Sequence, residues 1–374
     1  MAHPSRGEYF PAIDILRGFA AYSVILLHVI AHTNWTTFPQ DGPLSWFRSG
    51  SLGVDLFFVI SGFVVYYSAI NIFNRETYRS FLISFSLRRF FRLYPLYVLT
   101  LFASIYMSQH YILDAPNLWV HLLTHLTFIH SFNTDWFSSI NGVNWSIAIE
   151  VHFYVLIALF IAQLDRTNSA IVLLAALVLA WVWRWASWEL IPDNGDELYL
   201  YRLFVLSTQL PGRLDQFAIG MTIANLIRSA PFASWRASRW MMPVSAGLTT
   251  LTIYLFVFPQ VNFWPSGQVA FIFSRTLIAL AFGFAIFTAC QIQSTRFFQW
   301  SRPFRYAGTI SYGLYLWHLP FLVMLKSSGL SPLAIAGLTL TATTLTAAAS
   351  WHVFEKPLIG AGRRLEAKII PRSV

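Results

Sequence analysis

Charge is scarce in this 374-residue chain: Asp, Glu, Lys and Arg together make up 11% of it, against 56% hydrophobic residues. That shortage excludes an ordinary soluble domain, in which about a quarter of the residues are charged. Cysteine is scarcer still. Cys290 stands alone inside an apolar run, so no intramolecular disulfide can form and the redox compartment cannot be read from it. Short segments of alternating polarity are missing too, which argues against a transmembrane β-barrel, since barrel strands alternate and the apolar runs here are long and continuous. There is no internal repeat and no low-complexity tract. The first apolar run is not followed by a small-residue cleavage site, so it is expected to be retained as a span rather than removed as a signal peptide.

What the chain does contain is 34 Phe, 15 Trp and a mean hydropathy of +0.56. A hydrocarbon core of roughly 30 Å needs about 20 apolar residues per helix, and such stretches recur throughout. The expected fold class is therefore all-α: a polytopic membrane protein of about ten helices, at about 11–33, 53–73, 91–109, 145–164, 169–188, 210–228, 241–259, 268–290, 307–326 and 331–354. Pro211 and Gly212 interrupt the sixth, leaving it short or broken.

The net charge of +9 and pI near 9.8 would suit a nucleic-acid binder. The basic residues instead fall in alternate loops, 18 on one side against 5 on the other, with Arg17 and Arg275 inside spans. The positive-inside rule then places both termini in the cytoplasm and points to the cell (inner) membrane, with no nucleic-acid partner. The basic tail at 358–374 is expected to lie along anionic lipid.

Ionisable residues inside spans cost at least about 2.5 kcal/mol each and are functional candidates by default. Residues 13–32, IDILRGFAAYSVILLHVIAH, hold Asp14, Arg17, His28 and His32. Eleven residues at 100° each make about 1100°, so Arg17 and His28 share a helix face to within about 20°, roughly 16 Å apart along the axis. The bland reading is a helix-end ion pair and a packing histidine. Asp55 begins the second span, which also carries Ser61 and Gly62, the makings of a packing notch. Arg88, Arg89 and Arg92 precede Pro95 at the start of the third. They read either as a topogenic cluster or as guanidinium forks for the phosphates of a cytosolic ligand.

Glu150, in the fourth span, reaches a depth similar to that of His28, and a carboxylate beside an imidazole is the base-and-orienter arrangement of acyl transfer. Asp55 is the weaker candidate for that part. Asn144, Trp145 and Ser146 are candidate oxyanion donors. Tyr312, Tyr315 and His318 fall on a drifting face of the ninth span, a spacing more typical of aromatic packing than of a site. His121 with His125, and His28 with His32, have i, i+4 spacing but no acidic ligand or HExxH pattern, so no metal is expected.

Taken in order, Arg17 with ten residues before His28, GVDLFFVISGF at 53–63, RRFFRLYP at 88–95, NWSIAIEVHFY at 144–154, GRLDQFAIG at 212–220, SYGLYLWH at 311–318 and FEKP at 354–357 resemble the acyltransferase-3 family. These are membrane enzymes that O-acylate carbohydrates such as lipopolysaccharide O-antigen, exopolysaccharides and Nod factors, and some antibiotics. The resemblance implies that His28 lies at the acyl-transfer centre with Arg17 as its essential companion, that Arg89 and Arg92 form the family's arginine motif, and that Glu150 belongs to its Trp-Ser motif.

It also implies one transmembrane acyltransferase domain over 1–374, with spans over about 11–357 and no SGNH domain. The expected activity is transfer of an acyl group, most simply acetyl, to a hydroxyl of a glycan or lipid-linked glycan. Acetyl-CoA serves as co-substrate, with no bound cofactor. Arg17, Arg88, Arg89 and Arg92 are the expected donor-binding residues and His28 and Glu150 the catalytic ones. Asp14, Asp55, Ser61, Asn144, Trp145, Ser146, Tyr315 and His318 are the acceptor or supporting residues. A small lipophilic acceptor such as a macrolide sugar, or a proton-coupled glycan transporter, would also use such a polar stripe.

Overall fold

A computed structural model describes residues 8–115, 117–193, 195–257 and 267–370, and among them every regular element is helical. In chain order the helices are α1 (Pro11–His32), α2 (Leu52–Phe73), α3 (Tyr78–Ser108), α4 (Leu118–Leu126), α5 (Asn144–Arg166), α6 (Ser169–Leu190), α7 (Tyr199–Ser207) and α8 (Leu214–Arg228). They continue with α9 (Ala230–Ala237), α10 (Met241–Thr252), α11 (Gln268–Gln291), α12 (Thr295–Trp300), α13 (Arg302–Thr309), α14 (Ser311–Leu325), α15 (Pro332–Ser350) and α16 (Lys356–Ile369).

Seven described helices are long and apolar enough to cross a membrane: α1, α2, α3, α5, α6, α11 and the run Pro332–Ile369. The number rises to nine if each of two bent pairs is one span. The protein is a multi-pass, all-helical membrane protein. The difference from ten spans has local causes. The sixth opens with a 3-10 turn at Leu210–Arg213, which leaves α8 only 15 residues. In the seventh, α10 runs into a π turn at Ile253–Val257, and its remainder at 258–259 lies outside the described residues. The ninth is bent by 70° between α13 and α14.

Helix starts follow capping chemistry. Thr77, Asn168, Ser294 and Ser331 each accept a backbone N–H in the first turn of α3, α6, α12 and α15. Pro11 and Pro332 occupy first-turn positions, where the missing N–H costs nothing. Pro95 is carried inside α3 without ending it.

The chain forms two compact units. One comprises residues 1–23, 48–71 and 160–309, the other 24–47, 72–159 and 310–374. In the first, α2 and α8 cross at van der Waals contact. A Cβ on Gly62 would sit 2.1 Å from the Phe217 carbonyl oxygen, and one on Gly220 2.1 Å from that of Val59. The Ser61–Gly62 pair is thus a packing notch, with Ser61 buried beside it. Gly308 of α13 meets α1 in the same way, its absent Cβ falling 1.9 Å from the Asp14 carbonyl. In the second unit α14 packs along α15, where Gly313 faces Ala347, and α16 packs on α3, where Gly362 lies against the Phe91 ring.

Candidate active site

The second unit gathers most of the sequence-predicted site residues. His28, in the last third of α1, places Nδ1 2.9 Å from Nε2 of His318 on α14, with the two rings within 17° of parallel. His318 is fully buried and its Nδ1 lies 2.7 Å from the carbonyl oxygen of Tyr315, one turn earlier. That carbonyl can only accept, so Nδ1 of His318 carries its proton. Neutral His318 then offers a lone pair at Nε2, so His28 donates through Nδ1–H. The remaining nitrogen of His28, Nε2, is left as an unprotonated lone pair. His28 is half-buried, whereas its partner is wholly enclosed. A ring held in one tautomer by a second, buried ring is a general base with an orienter.

This corrects the expected pairing. Neither Glu150 nor Asp55 is the ring partner of His28; the partner is His318, whose i, i+3, i+6 spacing with Tyr312 and Tyr315 pointed to packing. Glu150 accepts the Tyr154 hydroxyl at 2.5 Å, one turn along α5. Asp55 lies in the first unit and is bound to Arg213 at 3.0 Å, Arg275 at 2.6 Å and Gln216 at 2.7 Å.

The supporting residues are tied to α14. Tyr315 Oη lies 2.7 Å from Ser146 Oγ, and Ser146 donates to the Val143 carbonyl at 3.0 Å. Asn141 donates to the Leu316 carbonyl at 3.0 Å, so the loop before α5 and the segment carrying His318 are fastened at two points. Trp145 stacks on Phe137 with centroids 5.6 Å apart. Asn144, at the first position of α5, is fully buried, and neither its Nδ2 nor its Oδ1 has a hydrogen-bond partner among the described residues. A buried, unsatisfied amide is costly and rare, and such an atom asks for a functional reason.

Arg88, Arg89 and Arg92 of α3 differ in occupation. Arg88 forms a two-point bridge to Glu366 of α16, Nε to Oε2 at 2.8 Å and Nη2 to Oε1 at 2.6 Å. The bridge ties α3 to α16 through a guanidinium expected among the donor-binding residues. Arg92 lies 3.7 Å from Glu355 and over the Trp351 ring. Arg89 has no carboxylate partner among the described residues; its guanidinium lies 5.6 Å over Phe85 and 5.5 Å over Tyr154, the tyrosine that hydrogen-bonds Glu150. In the first unit, Arg17 is 3.9 Å from Asp14, which also accepts the Tyr9 hydroxyl. Arg17 and His28 share α1 with the spacing the sequence predicts.

Two groupings escaped sequence reasoning. Burial pushes His125 down to about 4, and His130, stacked on it with centroids 4.0 Å apart, well below the ordinary histidine range. His121 and His125 were visible in sequence as an i, i+4 pair, but the stacking of His125 on His130 was not. The first unit also holds a buried network of Arg184, Asp215, Arg213, Asp55 and Arg275. Its sequence signals were Asp55 at the start of the second span, the GRLDQ stretch and the intramembrane Arg275.

A multi-pass helical protein with a buried pair of hydrogen-bonded imidazoles holds an arrangement that general-base group transfer can use. The chain belongs to the acyltransferase-3 family: the family's model, an acyltransferase domain, matches residues 10–352. The chain is similar to YrhL of Bacillus subtilis, a putative peptidoglycan O-acetyltransferase, at 25% identity over 96% of this chain and 56% of the relative. It is also similar to the O-acetyltransferase OatA of Staphylococcus aureus, at 25% identity over 94% of this chain and 57% of the relative. The peptidoglycan O-acetyltransferase OatA of Listeria monocytogenes matches at 26% identity over 85% of this chain and 50% of the relative. The chain thus spans about half the length of these curated relatives. No solved structure matches it significantly.

Proposed function

We propose that this chain is a membrane O-acyltransferase that moves an acetyl group from acetyl-CoA to a hydroxyl of a cell-envelope glycan, with peptidoglycan the leading acceptor class because the relatives are named for it. The observation that carries the reading is the His28–His318 couple, which leaves His28 Nε2 as a lone-pair base.

In the proposed reaction, His28 Nε2 takes the proton of the acceptor hydroxyl as that oxygen bonds to the thioester carbonyl carbon. The tetrahedral oxyanion is met by Asn144 Nδ2, a buried donor without a hydrogen-bond partner among the described residues. Collapse breaks the C–S bond, and the imidazolium returns its proton to the departing thiolate. The products are the ester, CoA-SH and neutral His28. Arg89 is the donor-phosphate ligand, since of Arg88, Arg89 and Arg92 it alone lacks a carboxylate within salt-bridge distance among the described residues. The loop-charge asymmetry supports cytoplasmic termini in a cell (inner) membrane, with the donor entering from the cytosol.

The test is thiol release from acetyl-CoA by the purified protein in liposomes, against a panel of glycan acceptors, with mass spectrometry of the products. Wild-type protein should release thiol in step with glycan acetylation, and His28→Ala should lose both while remaining folded. Acetyl transfer retained by His28→Ala would sink the mechanism.

A further inference from the structure

The buried network of the first unit does not balance. Asp215 pairs with Arg184 at 2.5 Å and also accepts the Thr276 hydroxyl. Asp55 pairs with Arg213 through Oδ1 at 3.0 Å and with Arg275 through Oδ2 at 2.6 Å. Three guanidinium groups therefore share two carboxylates, and no other carboxylate lies within salt-bridge distance of any of them among the described residues. The residues outside the described set contain no Asp or Glu, so they hold no missing counter-charge. Arginine cannot shed its proton to restore neutrality.

One uncompensated positive charge thus sits in a membrane-embedded unit, where an unpaired ion costs several kcal/mol. A scaffold would not need it, because Arg184–Asp215 and Arg213–Asp55 already form two complete pairs. Arg275 is the surplus cation. It is also the most open member, with 18% of its side chain exposed, whereas the side chains of Arg213, Asp55, Arg184 and Asp215 are at most 7% exposed.

Two further atoms have no partner. Arg213 Nε is a buried donor without an acceptor. Gln216 donates through Nε2 to Asp55 Oδ1 at 2.7 Å, which fixes the orientation of its amide and leaves Oε1 a buried acceptor with no donor. Unused donors on the cations, together with an unused acceptor on the same carboxylate's neighbour, suit a ligand that carries an oxyanion and a hydroxyl.

We infer that the Asp55–Arg213–Arg275–Gln216 cluster is a binding site for a singly charged oxyanion bearing a nearby hydroxyl, held chiefly by Arg275. A sugar carboxylate and a hydroxylated phospholipid headgroup share that chemistry. The site stands apart from the acyl-transfer reading, because its test measures binding and needs no turnover.

The full chain is purified into phosphatidylcholine nanodiscs and its thermal midpoint followed by tryptophan fluorescence. One arm adds glucuronate, with glucose as the neutral control; the other replaces part of the phosphatidylcholine with phosphatidylglycerol. At ten times the dissociation constant a ligand specific to the folded state shifts the folding equilibrium on the order of tenfold. The expected result is a raised midpoint in one arm, which names the source, and none with glucose.

Arg275→Gln should abolish that rise while melting, without ligand, no lower than wild type, because it removes the surplus charge. Asp55→Asn doubles the surplus and should bind the same anion more tightly. No rise in either arm with the wild-type protein would overturn the inference, whatever the variants do. An equal rise in Arg275→Gln would overturn it too, as would a lower ligand-free midpoint of that variant, the mark of a purely structural arginine.

Discussion

Replacing His318 tests the base-and-orienter geometry more sharply than replacing His28, because it leaves the base in place. His318 accepts the Nδ1–H of His28 at 2.9 Å and is itself locked by the Tyr315 carbonyl at 2.7 Å. In the ground state the bond links two neutral rings; once His28 has taken the acceptor's proton, the same bond is donated by an imidazolium. Hydrogen bonds to charged groups contribute about 1.5–3 kcal/mol, so losing one that strengthens in the transition state should lower kcat by roughly 10- to 100-fold. Removing the base itself should cost about 10²- to 10⁴-fold.

His318→Met keeps the volume and removes the acceptor, so it should show the full loss in kcat with the KM for acetyl-CoA little changed. His318→Gln can place an amide oxygen where Nε2 stood and should recover part of it. The assay is initial-rate thiol release in liposomes, with a folding check by fluorescence-detected size exclusion. Wild-type kcat in His318→Met, or a loss confined to KM, would refute the tautomer argument.

The other predictions are independent of that one. Asn144→Ala should cut kcat by about 10²- to 10³-fold if its amide meets the oxyanion, with little loss of stability, since the side chain makes no hydrogen bond to forfeit. Arg88→Ala should lower stability by about 1–2 kcal/mol by removing the two-point bridge to the buried Glu366 carboxylate while leaving the KM for acetyl-CoA unchanged, and Arg89→Ala should do the reverse; saturation kinetics and thermal melts on both separate clamp from ligand. Gly62→Ala should destabilise the protein by about 1–3 kcal/mol, because its Cβ would lie 2.1 Å from the Phe217 carbonyl oxygen. Folded His125 titrates at about 4 because it is buried, against about 6.5 when unfolded; the unfolded chain therefore binds the proton first, and stability should fall by about 3 kcal/mol as pH drops from 6.5 to 4, a slope that thermal melts of His125→Phe should not share.

The fold class was legible because hydrophobic length is a local property: 20 apolar residues read as a span wherever they occur. The bends and breaks were less so. Pro211 and Gly212 announced the short α8, but the 70° bend between α13 and α14 carries no proline or charge at the break, only Thr309 and Ile310. In the site, the Arg17–His28 spacing was legible because both lie on one helix. Contacts between helices were not. Depth arithmetic placed Glu150 level with His28, yet depth is one coordinate of three, and on α5 the carboxylate takes the Tyr154 hydroxyl within its own helix. His318 was visible as an ionisable residue in a span, and its cost in lipid was the signal that spacing alone obscured.

There is also a physical reason for a neutral ring rather than a carboxylate to orient His28. A carboxylate can also orient an imidazole, as in acyl-transfer triads, but it favours the imidazolium in the ground state more than a neutral ring does. A base that begins as imidazolium cannot take a hydroxyl proton. A second imidazole fixes the tautomer through a neutral hydrogen bond and adds no charge, so the base stays available until the acceptor arrives. The first unit pairs buried carboxylates with guanidinium groups around Asp55 and Asp215, whereas His28 meets the rings of His318 and His32. It follows that His318→Asp, which restores a carboxylate orienter, should be worse than His318→Gln at neutral pH even though its hydrogen bond to His28 is stronger.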